Sequence, residues 1–492
     1  MSARHVSVRT GTYRDSIRLM QISRTVSDLP GVSSALVAMA TELNVDQAIQ
    51  LGYAVPPGAG GNDLLVGVTV DEAGVLAAVL DRLDAELARA SSPAATTDGD
   101  PDTPPRTVAS AARRLGATLA LVSTPGRYAF VEAMDALDAG LSVLVFSDNV
   151  PLAEEVRLKQ VAGERGLLVM GPDCGTAVVA GVGLGFANVV RPGPVGVVAA
   201  SGTGAQQVMS LLSGAGVGIS HCLGVGGRDL SATVGGASTL TALRALDEDP
   251  ATELILLVGK APEPTVAERV RTETATMRTP VLPAPVGPGQ PDLTAGVENA
   301  LRALGRAAPD PWPRWLPERP SSSAGGALRG LFSGGSLCLE ALAIAEPALG
   351  PVRSNIAVDP KLMLDPDASP AGHAMLDLGD DRLTLGRPHP MIDIAPRLDR
   401  LAAEAADPAC GVILLDVVLG HGAHPDPAAE LAPAIGAGIA RRPDLAVVCS
   451  LVGTAEDPQD VDRQARALCA AGAAVFASNA EAARHAVRLA AA

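Results

Sequence analysis

An α/β architecture is predicted for this chain, with tandem parallel-sheet domains behind a small α+β N-terminal module. Three observations carry the expectation. From residue 107 onward, short apolar runs alternate with helical patterns, the order of βαβ units. Glycine-rich turns follow the ends of those runs, where open parallel sheets gather ligands. Aromatic residues make up 2% and hydrophobic residues 47%, so the cores must be Ala, Val and Leu between closely packed elements. At roughly 100–200 residues per domain, 492 residues allow three or four domains.

The N-terminal module, residues 1–90, opens on a period-2 strand over His5–Arg9 and a helical pattern from Arg14 to Ser27. Strands at Val32–Met39 and Leu64–Val70 follow, with helices near Val45–Leu51 and over Asp71–Ala90. Residues 91–106 are polar and Pro-rich and read as a linker or loop. A domain over 107–192 is expected from strands at Leu119–Val122, Ser142–Phe146 and Leu167–Met170, with helices Arg127–Ala139 and Pro151–Arg165 between them. A second series, 193–306, has strands at Val195–Ala200, Gly218–Leu223, Glu253–Val258 and Val281–Ala284. Its helices are Gly204–Ser213, Gly236–Asp247, Thr265–Met277 and Asp292–Arg306. Residues 307–326, holding both tryptophans, read as a linker. A third series, 327–492, has strands at Leu328–Phe332, Val412–Asp416, Ala446–Ser450 and Ala473–Phe476. Val197–Thr203 and Arg329–Gly335 share one pattern of strand, Ser-Gly turn and helix, which suggests two related domains.

Composition narrows the function. The net charge of −16 argues against nucleic acid or an anionic membrane as partner, and scarce aromatics leave few stacking platforms. The six cysteines are scattered without CxxC spacing, which fits reduced thiols in a cytosol and no metal site. Met1–Met20 lacks the apolar core of a signal peptide, and the charge-free stretch Pro192–Gly227 is broken by Gly, Ser and Gln. A cytoplasmic protein is expected.

Several clusters are candidates for chemistry. Ser201-Gly202-Thr203-Gly204 stands at a strand-to-helix junction, where helix N–H groups favour an anion such as phosphate; an ordinary capped turn is the competing reading. Gly226-Gly227-Arg228-Asp229 follows another strand, with Arg228 able to clamp a carboxylate or phosphate and Asp229 to orient it, or with the two forming an exposed pair. Asp173 and Cys174 lie in Gly171–Thr176, where Cys174 is either an activated thiolate or a small buried side chain. Lys260, one of three lysines, ends a strand at the ligand edge. Asp380, Asp381, Arg387 and His389 fall between Asp377 and Asp393; Arg387 suits a carboxylate or phosphate and His389 a proton, unless the segment is simply a rigid loop. Gly420-His421-Gly422 again puts glycines after a strand and before a helix, and the nearby His424 brings no third metal ligand.

Tyr13–Ser16, Phe146–Asn149, Leu168–Thr176, Gly226–Leu230 and Gly386–Asp393 together resemble the FdrA family over nearly the whole chain, and that family is similar to succinyl-CoA synthetase. The resemblance implies Rossmann-like and flavodoxin-like domains of synthetase type. Residues 107–192 would match the CoA-binding domain, 193–306 the second α-subunit domain, and 327–492 the ligase domain of the β subunit. It also implies a phosphohistidine after the strand matching Val281–Ala284, yet Val281–Gly296 contains no histidine, and Lys260 stands where a supporting carboxylate is expected. No segment of the 492 residues is left for an ATP-grasp domain.

What the resemblance keeps is a pair of facing helix starts that cradle phosphate, matched to Ser201–Thr203 and Gly420–Gly422. It links the chain to a carbamoyltransferase complex of allantoin and purine breakdown, acting on oxamate and oxalurate with phosphate or carbamoyl phosphate, alongside companion subunits of the same catabolic gene cluster. An acyl-CoA synthetase that binds CoA is the alternative, and a non-catalytic metabolite-binding scaffold a further one. A homo- or hetero-oligomer with a small-molecule substrate is expected.

Overall fold

The computed structural model describes residues 3–12, 14, 16–91, 105, 107–318, 325–384 and 387–492. Tyr13 and Asp15 of the first motif, Gly386 of the last, most of the 91–106 linker and residues 319–324 therefore lie outside the described residues. The chain divides into two units: residues 1–111, 123–125 and 385–388 form the first, and the remainder the second.

In the first unit β1 (Ala3–Arg9), α1 (Ser16–Ser27), β2 (Val32–Met39), α2 (Glu42–Gln50), β3 (Leu64–Val70) and α3 (Leu76–Ser91) follow in order. The sheet order is β1-β3-β2, fully antiparallel. Central β3 is almost wholly buried, with Leu64, Val66, Val68 and Val70 packed on Leu19, Val26, Leu83 and Leu87 of the helices. Alternate faces of one strand thus serve two cores, since Leu65 joins Tyr53 and Ala48 on the other side.

The second unit begins within α4 (Val108–Leu115) and carries three sheets. The first is parallel, β4 (Leu119–Val122), β5 (Ser142–Val145) and β6 (Val169–Met170), with α5 (Gly126–Asp138) and α6 (Leu152–Glu164) as crossovers. The next elements, β7 (Thr176–Val179) and β8 (Val182–Gly185), lie in the 107–192 segment but pair elsewhere. They form a hairpin that joins the following sheet through β10. Their Gly-interrupted sequence gave no strand signal.

That six-stranded sheet also contains β9 (Pro192–Ala199), β10 (Ile219–Gly224), β11 (Leu254–Lys260) and β12 (Val281–Val286), connected through α7 (Gly202–Gly214), α8 (Ala237–Glu248) and α9 (Pro264–Thr274), and followed by α10 (Leu293–Ala303). Its order is β12-β11-β9-β10-β7-β8. The expected linker 307–326 is pinned at its centre. Trp312 is buried, with its indole N–H on Glu298, and β13 (Arg314–Trp315) pairs with β19 of the last sheet.

The last sheet runs through β14 (Ala327–Phe332), α11 (Gly335–Leu349), β15 (Arg353–Ser354), β16 (Ala374–Asp377), α12 (Asp381–Thr384), α13 (Ala395–Ala406), β17 (Cys410–Val418), α14 (Pro427–Arg441), β18 (Ala446–Val452), α15 (Val461–Ala470), β19 (Ala474–Phe476) and α16 (Asn479–Ala490). Its order is β13-β19-β18-β17-β14-β16-β15, parallel apart from β13. Every residue of β17 and β18 is buried, which is why these strands read as apolar runs interrupted only by Gly411, Asp416 and Ser450. No described helix is long and apolar enough to cross a membrane.

Where α10, α11 and α16 meet, Glu340 is buried and accepts from Leu293 N at 2.6 Å and Asn479 Nδ2 at 2.7 Å. Burial pushes its carboxyl up to about 7, against the pull of those two bonds. The folded protein then binds a proton that the unfolded chain has already lost, so stability falls as pH rises from about 4.5 to about 7. Between pH 5 and pH 8, urea midpoints of Glu340→Gln should gain on wild type by about 2–3 kcal/mol. A difference that does not move with pH would contradict this.

Candidate functional site

The strand ends of the second and third sheets bring two helix starts together. Ser201 caps α7: its backbone is extended and its Oγ accepts Gly204 N at 2.9 Å. A side chain on Gly204 would collide with that hydroxyl, so the glycine is required by the close approach. Across from it, the Ser333-Gly334 turn ends β14 and starts α11. Ser201 Oγ donates to Ser336 Oγ at 2.6 Å, and a Cβ on Gly334 would lie within 2.6–2.8 Å of the Thr203 side chain. Gly202 is exposed and Ser201, Thr203, Gly335 and Ser336 are half-buried, so the paired starts form an open rim. The N–H groups of Gly202, Thr203, Gly335 and Ser336 are among those that a helix leaves without a partner in its first turn.

The turn before α11 is held by a buried carboxylate. Asp416, at the end of β17, accepts from Ser333 N (2.8 Å), Ser333 Oγ (3.0 Å) and Gly334 N (2.9 Å). Arg397 of α13 pairs with the same carboxylate at 3.0 Å and also donates to the Leu331 and Asp416 carbonyls. On the other flank of β14, Asp377 ends β16 beside Gly335. Burial raises its carboxyl to about 7; the Gly379 N–H opposes the shift, and the charges of Asp416, Asp380 and Asp381 add to it.

His389 adjoins the same turn. A Cβ on Gly379 would lie 2.5 Å from the Ser333 carbonyl and 2.7 Å from His389 Nε2. The ring packs on Phe186 with centroids 5.7 Å apart, and Phe186 packs on Phe146 at 5.9 Å. Burial, with Arg397 adding its charge, lowers the imidazole to about 4, so it is neutral at pH 7. Lys260 ends β11 one strand from β9, exposed at the same sheet edge as Ser201.

The geometry corrects four expectations. Gly420-His421-Gly422 is not a helix start. Gly420 N donates to Gln459 Oε1 and His421 N to the Ala187 carbonyl, Gly422 packs on Phe186, and α14 begins only at Pro427. Arg228 is not oriented by Asp229. Its Nε pairs with Glu155 at 2.8 Å and its Nη2 donates to the Val150 carbonyl, while buried Asp229 accepts from Ser238 N and Thr239 N at the start of α8 and pairs with Lys159. Gly226, at φ +86°, lies against the Pro172 carbonyl, and nothing crowds Gly227.

Cys174 is no thiolate, because burial pushes its thiol up to about 12 while its Sγ faces the Thr176 carbonyl. Among the carboxylates, Asp173 is exposed at φ +57°, Asp380 is bound by Arg382 at 2.9 Å, and Asp381 is exposed at the start of α12. Arg387 is exposed and falls in the first unit. The sequence reading missed Ser336, Asp416 and Arg397, although the repeated strand-Ser-Gly-helix pattern already marked Ser333.

Removing one partner of a buried pair typically costs about 3–5 kcal/mol. Asp416→Asn should lose that much in urea denaturation, and Arg397→Met alone a similar amount. The double change Asp416→Asn/Arg397→Met should recover part of the loss, and strictly additive losses would refute the clamp.

Comparison with known proteins gives the family. Residues 331–489 match the family described as CoA-ligase, and residues 1–104 that described as "AllF, heavy metal-associated domain". Residues 1–104 contain no cysteine and one histidine, His5, and among the described residues no group of three His, Cys, Asp or Glu could hold a metal ion. That donor set does not fit a heavy metal. The α subunit 2 of an ADP-forming succinate–CoA ligase from Archaeoglobus fulgidus is 29% identical over 157 residues, 31% of this chain and 53% of that subunit, so the match spans about half of that relative. A dinucleotide-forming acetyl-coenzyme A synthetase from Ca. Korarchaeum cryptofilum, solved with phosphate and ADP, aligns over 80% of this chain and 88% of its own at 16% identity and a TM-score of 0.30. The uncharacterised protein YahF of Escherichia coli is 36% identical over 507 residues, 96% of each chain. The chain belongs to the family of YahF, with a CoA-ligase domain of the succinyl-CoA synthetase type behind an AllF-like N-terminal domain.

Proposed function

We propose that this protein moves an acyl group between phosphate and an acceptor at the paired starts of α7 and α11. The group proposed is carbamoyl, with oxalurate plus phosphate interconverted with oxamate plus carbamoyl phosphate in a complex with companion subunits. The carrying observation is the meeting of two helix starts at Ser201 and Ser336. Each brings a partial positive charge and unspent N–H donors, and together they suit a phosphate dianion. No histidine lies in Val281–Gly296 to take the phosphoryl group covalently, which favours an acyl phosphate handled directly.

In the forward step a phosphate oxygen attacks the ureido carbonyl of oxalurate and the C–N bond breaks. The proton lost by phosphate ends on the nitrogen of oxamate. Donors from Gly202, Thr203, Gly335 and Ser336 would stabilise the charge on phosphate throughout. Lys260 is the exposed cation proposed to assist, since Arg228 is spent on Glu155.

Acid–CoA ligation is the second reading, favoured by the CoA-ligase match over 331–489. On that reading the first parallel sheet would be the CoA-binding domain. A Cβ at Gly126, where α5 begins, would lie 2.2 Å from the Asp148 carbonyl, and the first turn of α6 carries Glu154 and Glu155. Glu155 is itself buried and paired with Lys159 and Arg228, so its charge is met within the protein.

Phosphate release from carbamoyl phosphate, followed with this protein alone and with its companion subunits, is expected to require oxamate. Ser201→Ala/Ser336→Ala should lower that rate about 10²-fold while the protein stays folded. An undiminished rate would remove the Ser201–Ser336 hydroxyl contact from the chemistry. Turnover that needs ATP, CoA and a carboxylic acid, and ignores oxamate, would establish the second reading instead.

A further inference from the structure

His389 is fixed in a way that settles which ring nitrogen carries its proton. The segment begins with a tight turn in which Ile392 N and Asp393 N donate to the His389 carbonyl at 2.7 and 3.1 Å. That turn delivers Met391 N to His389 Nδ1 at 3.2 Å. A backbone amide can only donate, so Nδ1 must present its lone pair. In a neutral imidazole the single N–H is then on Nε2. Phe186 holds the ring plane, and Nε2 is directed at Gly379 beside the Ser333 turn. No group among the described residues bonds to Nε2, and only glycine at 379 lets the ring and the Ser333 carbonyl approach so closely.

We propose that His389 acts as a neutral hydrogen-bond donor, presenting Nε2–H to the acyl oxygen of an acyl phosphate held at the helix starts, and not as a base. This rests on the acyl-phosphate reading of that site. The proton stays on Nε2 throughout; the imidazole stabilises negative charge as it develops on the carbonyl oxygen, and no proton changes hands. The same fixed tautomer disqualifies Nε2 as a nucleophile towards phosphorus, because its lone pair is committed to the ring once it carries the proton.

Protein labelled with 15N-histidine gives a direct test that needs no turnover. The His389 signals, assigned by their loss in His389→Gln, should show a protonated Nε2 and an unprotonated Nδ1 at pH 7. Acetyl phosphate, a stable probe with the same acyl-phosphate group, should shift the Nε2–H resonance, and the shift should vanish in Ser201→Ala/Ser336→Ala. A proton on Nδ1, or on both nitrogens, would overturn the inference while leaving the proposed transfer intact. The expected tautomer with no response to acetyl phosphate would overturn the donor role. In the transfer assay, His389→Ala should lose about 10²-fold in kcat, and His389→Gln, which keeps an N–H near the Nε2 position, should retain about tenfold more than Ala. Equal losses in the two variants would contradict donation.

Discussion

Two helix starts held hydroxyl to hydroxyl are an unfavourable electrostatic arrangement until something negative joins them. Each N-terminus carries roughly half a positive charge, and their dipoles repel when brought end to end. The contact between Ser201 and Ser336 therefore has to be imposed by the packing around it. Buried carboxylates supply part of the compensation. Asp416 lies directly behind the Ser333-Gly334 turn and Asp377 beside Gly335. Their acceptors face the base of α11 and leave its rim to solvent.

The second constraint is the polar interface between the six- and seven-stranded sheets. Asn188 donates to Asp457 at 2.8 Å and to the Leu419 carbonyl at 3.0 Å, Thr454 donates to the Val189 carbonyl, and Gln207 bonds both Ala477 and Asn479. These bonds fix one register between the two sheets, because sliding either would leave the donors unsatisfied. The Gly420–Gly422 segment belongs to that interface, with His421 paired to Ala187. Its glycines serve close packing against Phe186 and the Ala187 backbone, and no helix starts there.

Much of this was legible in the sequence, for identifiable reasons. Strands buried on both faces, such as Val195–Ala199 and Val412–Asp416, announce themselves as apolar runs, and Ser201 is an N-cap by residue type and position. The strand-Ser-Gly-helix repeat at 197–203 and 329–335 marked both halves of the site, although its second half was not taken as a partner of the first. What sequence could not give was pairing at long range. Asp416 is 83 residues from Ser333, and Glu155, which orients Arg228, lies on α6, whereas the adjacent Asp229 sits in a turn. The β7–β8 hairpin was hidden by glycines, and Trp312, inside an apparent linker, is buried.

The central claim is that the rim of α7 and α11 is the anion site. A crystal structure with inorganic phosphate tests it most directly. Density for phosphate within hydrogen-bond reach of the Gly202–Thr203 and Gly335–Ser336 N–H groups is the predicted result. Phosphate bound at Gly420–Gly422, or a bare rim at saturating phosphate, would contradict it.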